Sequence, residues 1–236
     1  MRLMATLQTW ARRAPLRGLI DLAMPPHCAL CGEMGAWLCT ACSDAILALR
    51  QARQAALPAP PGIATLAAVA PHRGLVRRVV HQLKYGGMRV LAAPLAELMM
   101  TACPHALAQI DLIVPVPLHP RRIRRRGYNQ AVLLAEALAA CSGRAASLDL
   151  VERTRDTRSQ VGLSRSARQA NVDGAFAVRQ ALAGERLLLI DDVCTTGATL
   201  SACAIALREA GASHVTALTL AWAERYRAPT SRNDAV

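Results

Sequence analysis

The chain has 236 residues, 53% of them apolar, and a formal net charge of +12. That apolar content excludes wholesale disorder, and the length fits one α/β domain plus a small accessory module. The excess of base over acid points to a polyanionic partner such as nucleic acid, nucleotide or phosphosugar, although heavy use of Ala and Arg also carries a compositional bias.

Residues 3–23 read as a basic amphipathic helix, with Leu3, Leu7, Trp10, Leu19 and Leu22 among its apolar positions, stopped by Pro25-Pro26. Arg2, Arg12, Arg13, Arg17 and Asp21 interrupt this stretch, so it has no apolar core for a signal peptide. The apolar region from Val90 to Val116 is broken by Pro94, Glu97, Pro104, His105 and Asp111. A bilayer span needs about 20 mostly apolar residues, so no membrane span is expected and the protein is placed in the cytoplasm.

Eight cysteines in such a compartment are not read first as disulfides. Cys28-x-x-Cys31 and Cys39-x-x-Cys42 form two pairs separated by seven residues. Each pair offers two thiolates from one tight turn, and four thiolates suit a closed structural zinc site. A redox dithiol is the alternative, an iron–sulfur cluster a further one, and His27 could serve only if a cysteine were displaced. Cys103, Cys141 and Cys203 fall on helix-like stretches and are read as small buried apolar residues.

A helix over 43–56 follows, with Ser43 placed to cap it. Leu57-Pro58-Ala59-Pro60-Pro61-Gly62 can continue neither helix nor ladder, so it marks a boundary. The expected division is therefore an N-terminal unit 1–57, a linker 58–62, a domain 63–225 and a tail 226–236. Within the domain, strands are expected at 63–70, 110–116, 186–190 and 214–220. Helices are expected at 75–83, 90–102, 129–140 and 198–210. Strands alternating with helices at this spacing imply βαβ units and a parallel sheet. A core built of Ala, Leu and Val, with Phe176 the only phenylalanine, agrees with helices packed on such a sheet.

The most informative stretch is Leu187-Leu188-Leu189-Ile190-Asp191-Asp192-Val193-Cys194-Thr195-Thr196-Gly197-Ala198-Thr199-Leu200. Adjacent carboxylates are costly unless cations or hydroxyl donors share the site, and a ribose offers its 2′ and 3′ hydroxyls. Thr195, Thr196, Gly197, Ala198 and Thr199 lead into a helix N-terminus, where unpaired N–H groups and the dipole attract phosphate. The bland alternative is an acid-capped turn with no ligand.

Two arginine segments accompany this loop. Arg121-Arg122-Ile123-Arg124-Arg125-Arg126 places five arginines in six residues, and Arg153, Arg155, Arg158, Arg165 and Arg168 punctuate a polar stretch. Both could clamp pyrophosphate or a nucleic-acid backbone, or form a solvated basic face. Tyr85 and Tyr128 could stack on a base, whereas His72 and His81 carry no interpretable signal. Lys84 is the only lysine.

The Asp191–Thr199 loop resembles the phosphoribosyl pyrophosphate motif of type I phosphoribosyltransferases. The ordered set of Cys28 to Cys42, Leu83-Lys84-Tyr85-Gly86-Gly87, Val114-Pro115-Val116-Pro117-Leu118, Arg126-Gly127-Tyr128-Asn129-Gln130, Arg168-Gln169-Ala170-Asn171-Val172 with Gly174 and Phe176, and that loop resembles the ComF family over nearly the whole chain. The resemblance implies a type I phosphoribosyltransferase-like parallel sheet flanked by helices, with a small N-terminal zinc ribbon or knuckle. It implies phosphoribosyl pyrophosphate held with Mg²⁺, Asp191 and Asp192 on the ribose hydroxyls, the following loop on the 5′-phosphate, and Val116, Pro117 and Leu118 near the pyrophosphate. Arg121, Arg126, Arg153, Arg155 and Arg168 are the basic candidates, and 153–168 is the candidate mobile cover. Cys194 stands where a larger apolar residue is usual. The resemblance further implies a role in uptake of transforming DNA, with single-stranded DNA and other competence proteins, such as a helicase, as partners. Nothing identifies an acceptor, so phosphoribosyl transfer, ligand sensing without turnover and plain nucleic-acid binding all stay open.

Overall fold

A computed structural model describes residues 25–51, 57–155 and 174–223. In chain order its elements are α1 Thr40–Gln51, β1 Thr65–Pro71, α2 Gly74–Tyr85, α3 Ala92–Ala102, β2 Leu112–Pro115, α4 Pro120–Arg126, α5 Gln130–Ser142, β3 Ala145–Ala146, β4 Val151–Arg153, β5 Phe176–Val178, β6 Arg186–Cys194, α6 Ala198–Glu209 and β7 His214–Trp222. Short 3₁₀ turns at Arg89–Leu91 and Pro104–Leu107 flank α3. The expected N-terminal helix over 3–23 lies outside the described residues.

Five strands form one sheet in the order β1-β7-β6-β2-β3, every pairing parallel. The order follows from apolar content. In β6, Leu187, Leu188, Leu189 and Ile190 are all buried, so both faces of the strand must be covered, and it sits in the middle. Its neighbours are equally apolar: Ile113 and Val114 of β2 pair with Leu188 and Leu189, and Ala217 and Leu218 of β7 pair with Leu189 and Ile190. The helices bury stripes at helical spacing. Val76, Val79, Val80 and Leu83 make the inner face of α2. Helices α3 and α5 pack on one another and on the sheet, α6 packs on β6 and β7, and α1 packs on β1. The stretch 58–62 lies along α6, where Ser201 Oγ donates to the Pro61 carbonyl at 2.9 Å.

Several boundaries differ from expectation for local reasons. Helix α1 starts at Thr40, so Ser43 lies inside its first turn and its N–H donates to the Cys39 carbonyl at 3.0 Å. Strand β6 runs on to Cys194, so both aspartates lie within its last four residues rather than at the start of a loop. The arginine run after His119 is a helix: the His119 ring caps it, Pro120 opens it, and Gly127 at φ 86° closes it. The hairpin-like pair β4–β5 was not expected, because each strand is only three residues long. Cys103 and Cys203 are buried as expected, but Cys141 is exposed near the end of α5. Among the described residues no helix is long and apolar enough to cross a membrane.

Candidate functional site

A cavity of about 310 Å³ opens at the C-terminal ends of β6 and β2. In open parallel sheets this edge is where loops diverge and ligands enter. Asp191, Asp192, Thr195, Gly197, Ala198 and Thr199 line it from the β6–α6 connection, and Val116 and Leu118 from the segment after β2. Gly197, at φ 74°, turns the chain directly into α6, a conformation that favours glycine. Thr196 turns its hydroxyl back to accept from the Ala198 N–H at 3.4 Å and so orders the loop. The N-terminus of α6 therefore faces the same space as the two carboxylates, which sets an anion-attracting end beside an anion-bearing strand.

The carboxylates are kept compatible by a residue from elsewhere. Lys84, on the last turn of α2, places Nζ 2.9 Å from Asp192 Oδ2. That oxygen is buried and receives no other hydrogen bond among the described residues. Burial, the largest single influence, would pull the Lys84 ammonium down, but the charge and hydrogen bond of Asp192 together with the Asp191 charge outweigh it and the net shift is upward. Asp191 moves the other way from its usual range. Burial, reinforced by the Asp192 charge, pushes it up to about 7 against the pull of Lys84. Its Oδ1 accepts the Asp192 N–H at 2.8 Å. His72, also on the cavity wall, is held below its ordinary value by burial and by Lys84.

The turn that carries Lys84 is locked against the segment preceding α5. The Tyr128 hydroxyl donates to the Leu83 carbonyl. The Arg126 guanidinium lies 5.0 Å from the Tyr85 ring centre, and Arg89 lies 4.6 Å from that of Tyr128 while donating to the Gly127 carbonyl at 3.0 Å. Asn129 donates to the Val116 carbonyl at 3.0 Å and caps α5 through Ala131 N–H, also at 3.0 Å. Leu83–Gly87 and Arg126–Gln130, two separate stretches of sequence, thus form one interlocked support for the cavity.

Of the basic candidates, Arg126 and Arg153 line the cavity, joined by Arg122, which sequence reading did not single out. Arg153 is buried, its guanidinium 5.4 Å from the Phe176 ring centre. Arg121, Arg155, Pro117 and Thr196 are not on the cavity wall, and Arg168 lies outside the described residues. Lys84, His72 and Gln130 were missed. Lys84 and Gln130 stand in two of the motifs that carry the family resemblance, and Lys84 is the sole lysine of a basic chain, but neither signal carried a spacing to connect it with an aspartate.

The four cysteines of the N-terminal turn also converge. Their sulfurs all lie within 4.8 Å of one another, and Cys31 Sγ and Cys39 Sγ are 3.6 Å apart. With metal–sulfur bonds near 2.3 Å, a tetrahedral site has sulfur–sulfur edges of about 3.8 Å, so the donor set fits a metal such as zinc. Two tight turns produce this. The Gly32 N–H donates to the Cys28 carbonyl at 2.9 Å, and the Cys39 N–H points at Cys28 Sγ from 3.5 Å. Burial would raise the Cys28 thiol, but N–H groups of Cys39, Cys31 and Leu30 bring it down to about 6. Burial and the neighbouring sulfurs push Cys42 up. The Arg78 guanidinium donates to the Leu30 carbonyl at 2.7 Å, tying this turn to α2.

No family model matches the chain. Single proteins do. DNA utilization protein YhgH of Escherichia coli K12 is 33% identical over 217 residues, covering 82% of this chain and 96% of that protein. Competence protein F of Haemophilus influenzae is 37% identical over 114 residues, 47% of this chain and 50% of that one. The chain belongs to the ComF family. Among solved structures, glutamine phosphoribosylpyrophosphate amidotransferase from B. subtilis is similar to this ComF chain at a TM-score of 0.41, with 17% identity over 59% of this chain and 30% of that one.

Proposed function

We propose that the cavity binds phosphoribosyl pyrophosphate with Mg²⁺, and that this ComF protein acts in the handling of incoming single-stranded DNA in the cytoplasm. The observation that carries the reading is the shared cavity: an acid pair, a helix N-terminus behind a Thr-Thr-Gly loop, and three arginines all border one space. Asp191 and Asp192 would accept from the ribose hydroxyls, and the Thr195–Thr199 loop would donate to the 5′-phosphate. Arg122, Arg126 and Arg153 are the candidates for the pyrophosphate. Mg²⁺ bound with the pyrophosphate would neutralise part of its charge. The protein's contribution to any transfer would be positioning and electrostatics, with no covalent residue required. The names of the relatives, DNA utilization protein and competence protein F, support the cellular role.

The test is calorimetric titration with phosphoribosyl pyrophosphate and Mg²⁺ on wild type and on Asp191→Asn/Asp192→Asn. Binding by wild type that vanishes in the double variant supports the reading, and no binding by the folded wild type rejects it. For the N-terminal unit, residues 1–57, we propose a structural zinc ion held by Cys28, Cys31, Cys39 and Cys42. Metal analysis finding no zinc, with all four thiols freely reactive, would reject that.

A second reading has its own observation. Helix α4 buries none of its residues and carries Arg121, Arg124 and Arg125 exposed to solvent, a dense phosphate-binding face beside the cavity. This favours nucleic acid along α4, whether or not the cavity turns over a ligand.

A further inference from the structure

We infer that Lys84 is the positioning residue of the acid pair, fixing Asp192 as a buried, immobile anion so that the two aspartates offer preset acceptors to a ribose diol. The inference rests on the ribose-phosphate reading above and adds a residue to it. Two neighbouring carboxylates at a strand end either share a proton or turn apart unless a cation intervenes. Here Asp192 is 3% exposed, and its Oδ2 lies 2.9 Å from the only lysine in the chain. Other groups face the pair: His72 after β1, Arg122 and Arg126 from α4, Arg153 on β4, and the buried Cys203 of α6 behind Asp191. Lys84 is the one whose ion pair with Asp192 is direct among the described contacts.

A lysine ordinarily keeps its ammonium in water and lets its stem wander, so a fixed lysine needs a fixed backbone. Lys84 has one. Leu83 before it is fully buried and accepts the Tyr128 hydroxyl, and Tyr85 after it carries the Arg126 guanidinium on its ring. Gly86 then lets the chain leave the helix closely, because a Cβ there would sit 3.0 Å from the Gln82 backbone carbonyl oxygen. Lys84 also sits at the C-terminal end of α2, where the helix dipole favours a cation. The interlock between Leu83–Gly87 and Arg126–Gln130 thereby acquires a purpose: it aims one ammonium at one carboxylate oxygen.

A merely structural ion pair would have the same distance, so the test must separate orientation of the acids from general integrity. Titration calorimetry on the full, metal-loaded chain would compare phosphoribosyl pyrophosphate with inorganic pyrophosphate, each with Mg²⁺. Lys84→Met should weaken phosphoribosyl pyrophosphate about tenfold or more, the worth of a charge-assisted contact, and Lys84→Arg should recover most of that loss. Pyrophosphate affinity should stay within about twofold, as for a change away from its contacts. Equal losses on both ligands, or undiminished phosphoribosyl pyrophosphate affinity in Lys84→Met, would overturn the assignment. Wild type that binds pyrophosphate no more weakly than phosphoribosyl pyrophosphate would instead overturn the ribose reading, and the role of Lys84 with it. If Lys84→Met does not fold, isotope-labelled lysine gives a single side-chain signal in this chain. That signal should move on Asp192→Asn and on adding phosphoribosyl pyrophosphate, and indifference to both overturns the inference.

Discussion

Around Cys28, Cys31, Cys39 and Cys42 the chain gathers four groups that could hold a metal, and as thiolates they would draw their compensating charge from it. Around Asp191 and Asp192 it gathers two anions and brings the compensating charge itself, from Lys84. The difference teaches how each cluster depends on the rest of the protein. The cysteines sit on two adjacent turns and need little from outside except the ion. The aspartates depend on a lysine delivered by another helix, and that helix is held by a third segment through Tyr128. Arg78 links the two clusters, since it reaches from α2 to the Leu30 carbonyl inside the cysteine turn.

The sharpest way to break the comparison is to remove a ligand from the first cluster. Cys42 is buried on α1 and faces three other sulfurs. Cys42→Ser should abolish stoichiometric zinc and cost at least about 3 kcal/mol, a part of the roughly 10–16 kcal/mol that zinc binding contributes to folding small modules. Metal analysis together with urea unfolding checks this. Leu30, Leu38 and Ile46 belong to the same buried cluster as the sheet's core, so unchanged stability on loss of zinc would mean that this packing does not depend on the metal.

The second cluster should respond comparably to a single change and hardly at all to a paired one. Asp192→Asn leaves the Lys84 ammonium largely buried without its counter-charge, and breaking a buried pair from one side costs about 3–5 kcal/mol. Replacing both partners, as in Lys84→Met/Asp192→Leu, should come within about 1 kcal/mol of wild type in denaturant unfolding, because apolar pairs often substitute for buried ion pairs. An equal cost for single and double variants would mean that the pair is packed rather than electrostatic.

Asp191 gives a smaller effect with a definite sign. Its folded pKa, near 7, lies above the ordinary carboxylate range. Between that range and about 7 the folded protein holds a proton that the unfolded chain has released, so this group's contribution to stability falls as pH rises and levels off above 7. Asp191→Asn removes that slope. It should raise stability at pH 8 by about 1–3 kcal/mol while weakening ligand binding, the pattern expected where a site is kept for function. Thermal unfolding of both proteins at pH 5 and pH 8 measures it, and parallel pH profiles would refute it.

These contrasts also explain what the sequence disclosed. The cysteine pairs and the Asp-Asp-to-Thr-Thr-Gly run were legible because each is built from neighbours in the chain, where spacing alone fixes geometry. The parallel sheet was legible from short apolar runs such as Leu187–Ile190 alternating with helical stripes. Lys84 and His72 were not, because they reach the aspartates only through the parallel pairing of β1, β7 and β6 and the packing of α2. The helix α4 was hidden for another reason: a run of arginines has no apolar stripe, and its signals were the His119-Pro120 start and the Gly127 stop. The short strands β4 and β5 exist through their mutual pairing, with Arg179 bridging to Glu152 at 3.0 Å, and too few residues to show a period.

The least costly change should be on α4, and there stability and function are expected to separate. Arg121, Arg124 and Arg125 are exposed on a helix that buries nothing, so replacing all three by Ala should shift stability by no more than about 0.5 kcal/mol per site. If the face binds single-stranded DNA, each lost phosphate contact should flatten the dependence of log affinity on log salt by about 0.7, roughly 2 in total for three contacts. Arg126 is deliberately left in place, because its stacking on Tyr85 supports Lys84 and its loss would disturb the acid pair as well. A triple variant that is folded, retains phosphoribosyl pyrophosphate binding and shows the flatter salt slope would assign the two anionic ligands to adjacent but separable surfaces. An unchanged slope would move DNA binding off α4 and leave its arginines as a solvated face.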